Sequence, residues 1–490
     1  MGTRRVRPAR SSAPLSSGRM SADMYHATGS SFARLRPVIL VGVAALVLVG
    51  AILLWAPFGT RTPDRPNFVV IVTDDQRWDT LAMMPAVQRL LVDHGMTFTN
   101  AFTTTPSCCP SRASLLTGQY SRHTGVFDGS AGDAPGGAPA FDDSSSLATW
   151  LDDAGYRTGL VGKYLNDYDE LPAGYIPPGW DRWFAIAQPG PQVRYYDYWL
   201  NENGTIVKYG DSVSEYSTSV LREKAVRFVG ADDPFFLYFA PIAPHPPSTP
   251  APEDADASVD PGWHPPPSFG EVDVSDKPGG GRPPFSSQDG AKARTERLAM
   301  FRSLLAVDRA VGAIVDAVKA SGRMENTYFL FTSDNGFLLG EHRLVGKVWP
   351  YEESIRVPLV IRTPDTVATR SSSEPVLNID LAGTIAELAG VRPGLHQDGR
   401  SLVPLLAGRE ISWRSVFVVE FLGYAPGVPP YEGIRTRRYL YVEYGSGDKE
   451  LYDLRADPFE LRNLLGTRPG RPPATLVQRL HRSLRLLTTG

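Results

Sequence analysis

Phe68-Val69-Val70-Ile71-Val72-Thr73-Asp74-Asp75 is the stretch whose reading decides the fold. Five apolar residues in succession, mostly β-branched, suit a strand buried on both faces, as in a parallel sheet. The run stops on two acids. The pattern recurs: Thr158-Gly159-Leu160-Val161-Gly162 runs into Lys163, and Phe235 to Ala240 leads to His245 through a proline-rich turn. Tyr328-Phe329-Leu330-Phe331 ends in Ser333-Asp334-Asn335-Gly336. Each strand delivers a polar group at or just beyond its carboxyl end, the edge where open α/β sheets bind ligands.

Helical patterns alternate with these strands: Met84 to His94, Leu147 to Ala154 and Leu298 to Lys319. Val357 to Ile361 and Leu377 to Leu388 add a strand and a helix. The alternation predicts an α/β fold, a mostly parallel sheet sandwiched by helices. Two Gly/Pro-rich insertions, 128–143 and 249–291, read as loops that could roof a site. After about Gly408 short strand patterns follow one another at Val416–Phe421, Gly433–Tyr444 and Lys449–Leu454, which predicts a small antiparallel C-terminal subdomain. The expected organisation is a catalytic domain over 66–408, this subdomain over 409–466 and a tail over 467–490.

Residues 1–36 carry seven arginines against one acid, Asp23, and read as a disordered basic arm. Residues 37–58 are free of charge and, as a helix, would span about 33 Å, which matches a bilayer core. No small-x-small cleavage site follows, so an uncleaved transmembrane anchor is expected rather than a cleaved signal peptide. The basic arm would stay in the cytoplasm and the chain after Gly59 would lie outside. A formal net charge of −3 gives no basic bias towards nucleic acid.

The only two cysteines in 490 residues are neighbours, in Cys108-Cys109-Pro110-Ser111-Arg112-Ala113-Ser114-Leu115-Leu116-Thr117-Gly118. Pro110 suits a first helical turn and Gly118 a stop, so Cys108 is placed at a helix start beside free N–H groups. Adjacent cysteines are poorly spaced for an unstrained disulfide, which points to chemistry instead. A tyrosine-phosphatase-like loop would need Arg six positions after the cysteine, but Ser114 and Leu115 stand there. Asp74, Asp75, Asp334 and Asn335 form a hard-oxygen set suited to Ca²⁺ or Mg²⁺. Lys163 and Lys347 could neutralise a bound anion, and His245, held by prolines, suits a general acid. His123 and His342 are weaker candidates.

Cys108-x-Pro110-Ser111-Arg112, with Leu116-Thr117-Gly118, resembles the sulfatase signature, and the resemblance runs from about Asn67 to Leu464. Cys108–Thr117, Gly162–Asn166, Ala243-Pro244-His245 and Thr332–Gly336 are most similar to N-acetylglucosamine-6-sulfatases and heparan 6-O-endosulfatases. Glu450–Leu454 with Asp457-Pro458 looks like the family's closing hairpin. The resemblance implies an alkaline-phosphatase-like fold and conversion of Cys108 to formylglycine by a formylglycine-generating enzyme. It implies Asp74, Asp75, Asp334, Asn335 and the modified Cys108 as ligands of a divalent cation, usually Ca²⁺, with Mg²⁺ allowed. Arg112 would orient the nucleophile, Lys163 and Lys347 would grip sulfate, and His245 would protonate the departing alcohol. Cys109 becomes a bystander. Many sulfatases carry Lys-x-His where this chain has Lys163-Tyr164-Leu165, so the base for sulfate release is unassigned; Asn166 and His123 are the stand-ins. The expected activity is hydrolysis of a sulfate ester on a sulfated amino sugar or glycan. The rivals are a phosphate or phosphonate ester hydrolase and a membrane-tethered, inactive glycan-binding protein.

Overall fold

The computed structural model describes residues 65–190, 192–230, 234–259, 263–279, 282–365, 369–466 and 472–489. The basic arm and the expected anchor, 37–58, lie outside them; among the described residues no helix is long and apolar enough to cross a membrane.

The strands of the main sheet are β1 (Asn67–Thr73), β2 (Met96–Phe98), β3 (Arg157–Gly162), β4 (Arg182–Ile186), β5 (Trp199–Glu202), β6 (Thr205–Lys208), β7 (Phe235–Ala240), β8 (Thr327–Ser333), β9 (Leu359–Arg362) and β10 (Arg370–Ser372). They lie in the order β10-β2-β9-β8-β1-β7-β3-β4-β5-β6. The central run β8-β1-β7-β3-β4 is parallel. Antiparallel pairings flank it, β9 against β8 on one side and β5 against β4 on the other. The sheet is the mostly parallel α/β arrangement that the apolar runs predict.

The longer helices are α1 (Cys108–Thr117), α2 (Leu147–Asp153), α3 (Ser217–Val229), α4 (Ser287–Ala320), α5 (Asp380–Ala389) and α6 (Ala474–Thr488). All seven residues of β1 are buried, and their period of two divides them between the faces. Phe68, Val70 and Val72 pack with Leu115 of α1, Leu151 of α2 and Ile385 of α5. Val69 and Ile71 pack on the other face with Leu221 of α3 and Leu304, Val307 and Ile314 of α4. Each such buried apolar side chain is worth about 1.5–3 kcal/mol, so β1 is anchored on both faces.

Several expectations are corrected in detail. The 84–94 pattern is a short helical turn, Pro85–Val87, continued by a wider turn over Gln88–Val92. Asp308 of α4 holds its start by accepting from the amides of Ala86 and Val87, at 2.9 and 2.8 Å. The helix α4 begins eleven residues before Leu298, at Ser287, because Ser286 and Asp289 form a reciprocal cap there. Its first turns are exposed and lack the apolar period, so the 249–291 insertion ends at Ser286. Val376–Leu377 pairs as a strand with Ala101–Phe102. The helix expected from Leu377 therefore starts at Asp380, whose carboxylate accepts from the Leu377 amide at 2.8 Å.

After the main sheet, β11 (Val416–Phe421), β12 (Tyr431–Thr436), β13 (Tyr439–Tyr444) and β14 (Lys449–Asp453) form a four-stranded antiparallel sheet. The 433–444 pattern thus contains parts of two strands and their turn. One face of this sheet covers Leu480 and Leu484 of α6. The other buries Phe417, Val419 and Tyr452 against Phe102, Trp349, Tyr351 and Ile355. The segment 349–355 therefore sits in the seam between the two sheets.

Candidate active site

β1 and β8 pair in register, with Thr73 beside Ser333. The residues that follow them, Asp74-Asp75 and Asp334-Asn335, are consequently neighbours at the carboxyl edge. Asp75 turns through a left-handed φ of 66°. Its amide donates to Asp334 Oδ1 at 3.1 Å, and Asn335 Nδ2 donates to Asp75 Oδ1 at 2.7 Å.

The helix α1 starts at Cys108 and stops at Gly118, where φ is 74°. Its N-terminus is tied to this edge by Ser111, whose hydroxyl donates to the Asp334 carbonyl at 2.5 Å. Asn378 donates to the same hydroxyl at 3.1 Å. Cys108 Sγ then lies 3.4 Å from Asp74 Oδ1 and 2.6 Å from Lys347 Nζ. Arg112, fully buried, spans the floor: Nε reaches Asp334 Oδ2 at 2.9 Å and Nη1 donates to the Lys163 carbonyl at 3.0 Å. Lys163 Nζ contacts Asp74 Oδ2 at 2.5 Å, and Lys347 Nζ contacts Asp75 Oδ1. His245 Nε2 faces Asp75 Oδ2 at 3.5 Å. Its other nitrogen lies 2.6 Å from the Pro246 carbonyl, to which Nδ1–H donates.

All nine residues singled out for catalysis or metal binding are therefore brought to one place. Ligand atoms of Asp74, Asp75, Cys108 and His245 lie within 4.8 Å of one another. Asp75 Oδ2 and Asn335 Oδ1 are buried without a hydrogen-bond partner. Orphaned hard oxygens beside further carboxylates fit a divalent cation of the Ca²⁺ or Mg²⁺ class. Asp334 accepts from three donors, yet a carboxylate has about four lone-pair sites, so it too can ligate.

The electrostatics separate the acids. Burial pushes the Asp74 carboxyl up, but Lys163, His245, Arg112 and Lys347 outweigh it and hold Asp74 well below the usual carboxylate range. Burial and the Asp74 charge push Asp334 up. Burial, then Asp74, also pushes the Cys108 thiol up. An unmodified Cys108 is thus a thiol and a poor nucleophile. Burial pushes Cys109 up to about 12; its Sγ accepts from the Asn166 amide at 3.0 Å, a packing role. Burial pulls Lys163 and Lys347 down, but the carboxylates prevail and keep both charged.

The weaker candidates fall elsewhere. His123 pairs with Asp398 at 2.7 Å, and His342 is wholly buried against Glu271 at 2.8 Å. Asn166 spends its side-chain amide on the Gly129 carbonyl at 2.8 Å. Two supporting residues carried no sequence signal: Asn378, which steadies Ser111, and Tyr195, whose hydroxyl donates to the His245 carbonyl at 2.8 Å. Both act across the fold, beyond the reach of local spacing. Lys163 lines a cavity of about 70 Å³ with Asn166, Gln188 and Arg194. A second cavity, of about 430 Å³, begins at Pro246 and is bounded by Phe285, Lys292, Glu296, Phe337 and Arg343.

A family model described as Sulfatase matches residues 66–391, and one described as N-sulphoglucosamine sulphohydrolase, C-terminal, matches 340–489. The chain is 37% identical over 375 residues to a Drosophila melanogaster extracellular sulfatase SULF-1 homolog, covering 73% of this chain and 33% of that protein. It is 31% identical over 465 residues to human N-acetylglucosamine-6-sulfatase, covering 84% and 82%. The chain thus spans only a third of the first relative's length. The fold is shared with BT4656, solved in complex with its substrate D-glucosamine-2-N,6-O-disulfate, at TM-score 0.73 and 24% identity over 87% and 98% of the two chains. It is also shared with the phosphonate monoester hydrolase of Agrobacterium radiobacter, at TM-score 0.68 and 24% identity over 86% and 95%.

Proposed function

This chain belongs to the sulfatase family, and from that premise we propose that it hydrolyses a sulfate ester at the 6-position of a glucosamine-type sugar. The observation that carries the reading is the meeting of Cys108 with Asp74 and Lys347 at the start of α1. Residue 108 is an unmodified cysteine here, and its Sγ stands in for the oxygen of the converted residue. Formylglycine at 108, made by a formylglycine-generating enzyme, supplies a hydrated aldehyde: one hydroxyl as nucleophile, the other as the internal route for releasing sulfate. Asp74, Asp75, Asp334 and Asn335 are the residues that would hold a divalent cation, Ca²⁺ foremost, whose Lewis acidity stabilises charge on the sulfate oxygens.

The remaining roles belong to the chain's own side chains. Lys163 and Lys347 hold sulfate oxygens, while Arg112 keeps Asp334 and the start of α1 in place. His245, oriented by its Nδ1–H bond to Pro246, presents Nε2 to the leaving oxygen and gives it a proton. The cavities beside Lys163 and Pro246 would receive the sugar. We place the catalytic domain outside the cytoplasm, in line with the Drosophila relative described as extracellular.

A matched panel of sulfate and phosphate esters, including a glucosamine 6-sulfate, tests the reading by the anion released. Sulfate release from the sugar ester is the expected result. Exclusive phosphate release would favour the phosphonate hydrolase with which the fold is shared, and no turnover by fully converted protein would favour a glycan-binding role. His245→Ala should slow esters with poor alkyl leaving groups by about 10²–10⁴-fold, while an activated aryl sulfate is nearly unaffected. Equal losses on both would remove His245 as the acid.

A further inference from the structure

A second cluster lies in the seam where the C-terminal sheet meets the main sheet. It joins His342, Glu353 and Glu460, all buried, with one ligand atom from each within 4.8 Å of the other two. His342 Nε2, Glu353 Oε2 and Glu460 Oε1 are all without a hydrogen-bond partner. Three buried, unpartnered donors converging on one point leave a large desolvation cost uncompensated.

The atoms that do have partners are arranged to expose these three. The Nδ1–H of His342 donates to Glu271 Oε2 at 2.8 Å, which leaves a lone pair on Nε2. Lys277 lies 3.2 Å from Glu271 Oε1 and supports that carboxylate as an anion. A carboxylate behind an imidazole is the usual support of a metal-bound histidine. Glu353 Oε1 accepts from the Ser268 hydroxyl at 3.2 Å, and Glu460 Oε2 from the Glu352 amide at 3.1 Å. Each glutamate is thus oriented by one oxygen with the other free.

We propose that His342, Glu353 and Glu460 form a second cation site, distinct from the Asp74 cluster, that takes Zn²⁺ through one imidazole and two carboxylates. An imidazole nitrogen with two carboxylate oxygens suits Zn²⁺ better than Ca²⁺, which prefers an all-oxygen shell of six to eight donors. A cation there would fasten the segment that carries Lys347 at both ends, at His342 and Glu353, and tie it to Glu460 of the C-terminal part.

The test is zinc stoichiometry by mass spectrometry on the whole protein, equilibrated with Zn²⁺ in excess Ca²⁺ and then desalted. About one Zn²⁺ per chain is expected in the wild type and in Asp334→Asn, and essentially none in His342→Ala or the near-isosteric Glu460→Gln. Zinc K-edge spectra of His245→Ala, which removes the histidine of the Asp74 cluster, serve even if a His342 variant misfolds: an imidazole nitrogen neighbour supports the site, and its absence overturns it. A sulfur neighbour, which would place the metal at Cys108, overturns it. So would a wild type that retains no zinc, a His342→Ala protein that retains as much, or loss confined to Asp334→Asn.

Discussion

Cys108→Ala should lower kcat/KM for the sulfate ester by about 10⁴–10⁶-fold, the range seen when a covalent nucleophile is removed. The loss should fall on kcat, because the lysines and cavities that would hold the ester remain. Cys108→Ser makes the sharper test. A serine hydroxyl can attack sulfur but has no second hydroxyl on the same carbon, so the adduct has no internal way out. One equivalent of sulfate should stay on the peptide bearing residue 108, without turnover. Multiple turnovers by Cys108→Ser would sink the formylglycine reading. Mass spectrometry of the same wild-type peptide should show the aldehyde in place of the thiol, and free thiol throughout in the native host would favour the binding protein.

Arg112→Ala should be the most destabilising single change at the site, by about 3–5 kcal/mol, as expected when one partner of a buried pair is removed. Arg112 and Asp334 are both fully buried and 2.9 Å apart. Truncation leaves Asp334, already pushed up by burial and Asp74, without its closest cation. Arg112→Lys should recover only part of the loss, since an ammonium cannot serve Asp334 and the Lys163 carbonyl with one planar fork. Thermal and denaturant unfolding of the three proteins, with and without Ca²⁺, measures this. A loss below about 1 kcal/mol for Arg112→Ala would mean that water repairs the gap. Added Ca²⁺ should narrow the deficit if Asp334 is a ligand as proposed, because the cation supplies the missing positive charge.

The fold was largely legible because its central strands are extreme. Phe68–Val72 and Phe235–Ala240 have nothing polar to offer a solvated face, and each ends in chemistry. That argument placed Asp74, Lys163, His245 and Asp334 on one edge without any knowledge of strand order. Order itself was not legible, since nothing local in Leu359–Arg362 says that it runs antiparallel beside β8. Exposed starts of helices were missed for a related reason: Ser287 to Arg297 in α4 carries little apolar period and is held by a polar cap. The residues beyond reach were those whose partners are distant in the chain. Asn378 gains meaning only beside Ser111, and Glu353 with Glu460 only where two sheets meet.

The enclosure of Cys108 also sets an order in time. Its side chain begins a helix whose ten residues are all buried, and only 3% of its surface is open. Asp74 and Lys347 close over the sulfur, and Asn166 is fastened to the cysteine next door. A small ester can reach such a place, but a second protein cannot thread this segment through its own cleft once β1, β8 and α1 have locked together. If Cys108 is converted as proposed, the enzyme that oxidises it would have to meet it before the chain has folded. On that proposal folding is a deadline: a chain that closes first would keep its thiol.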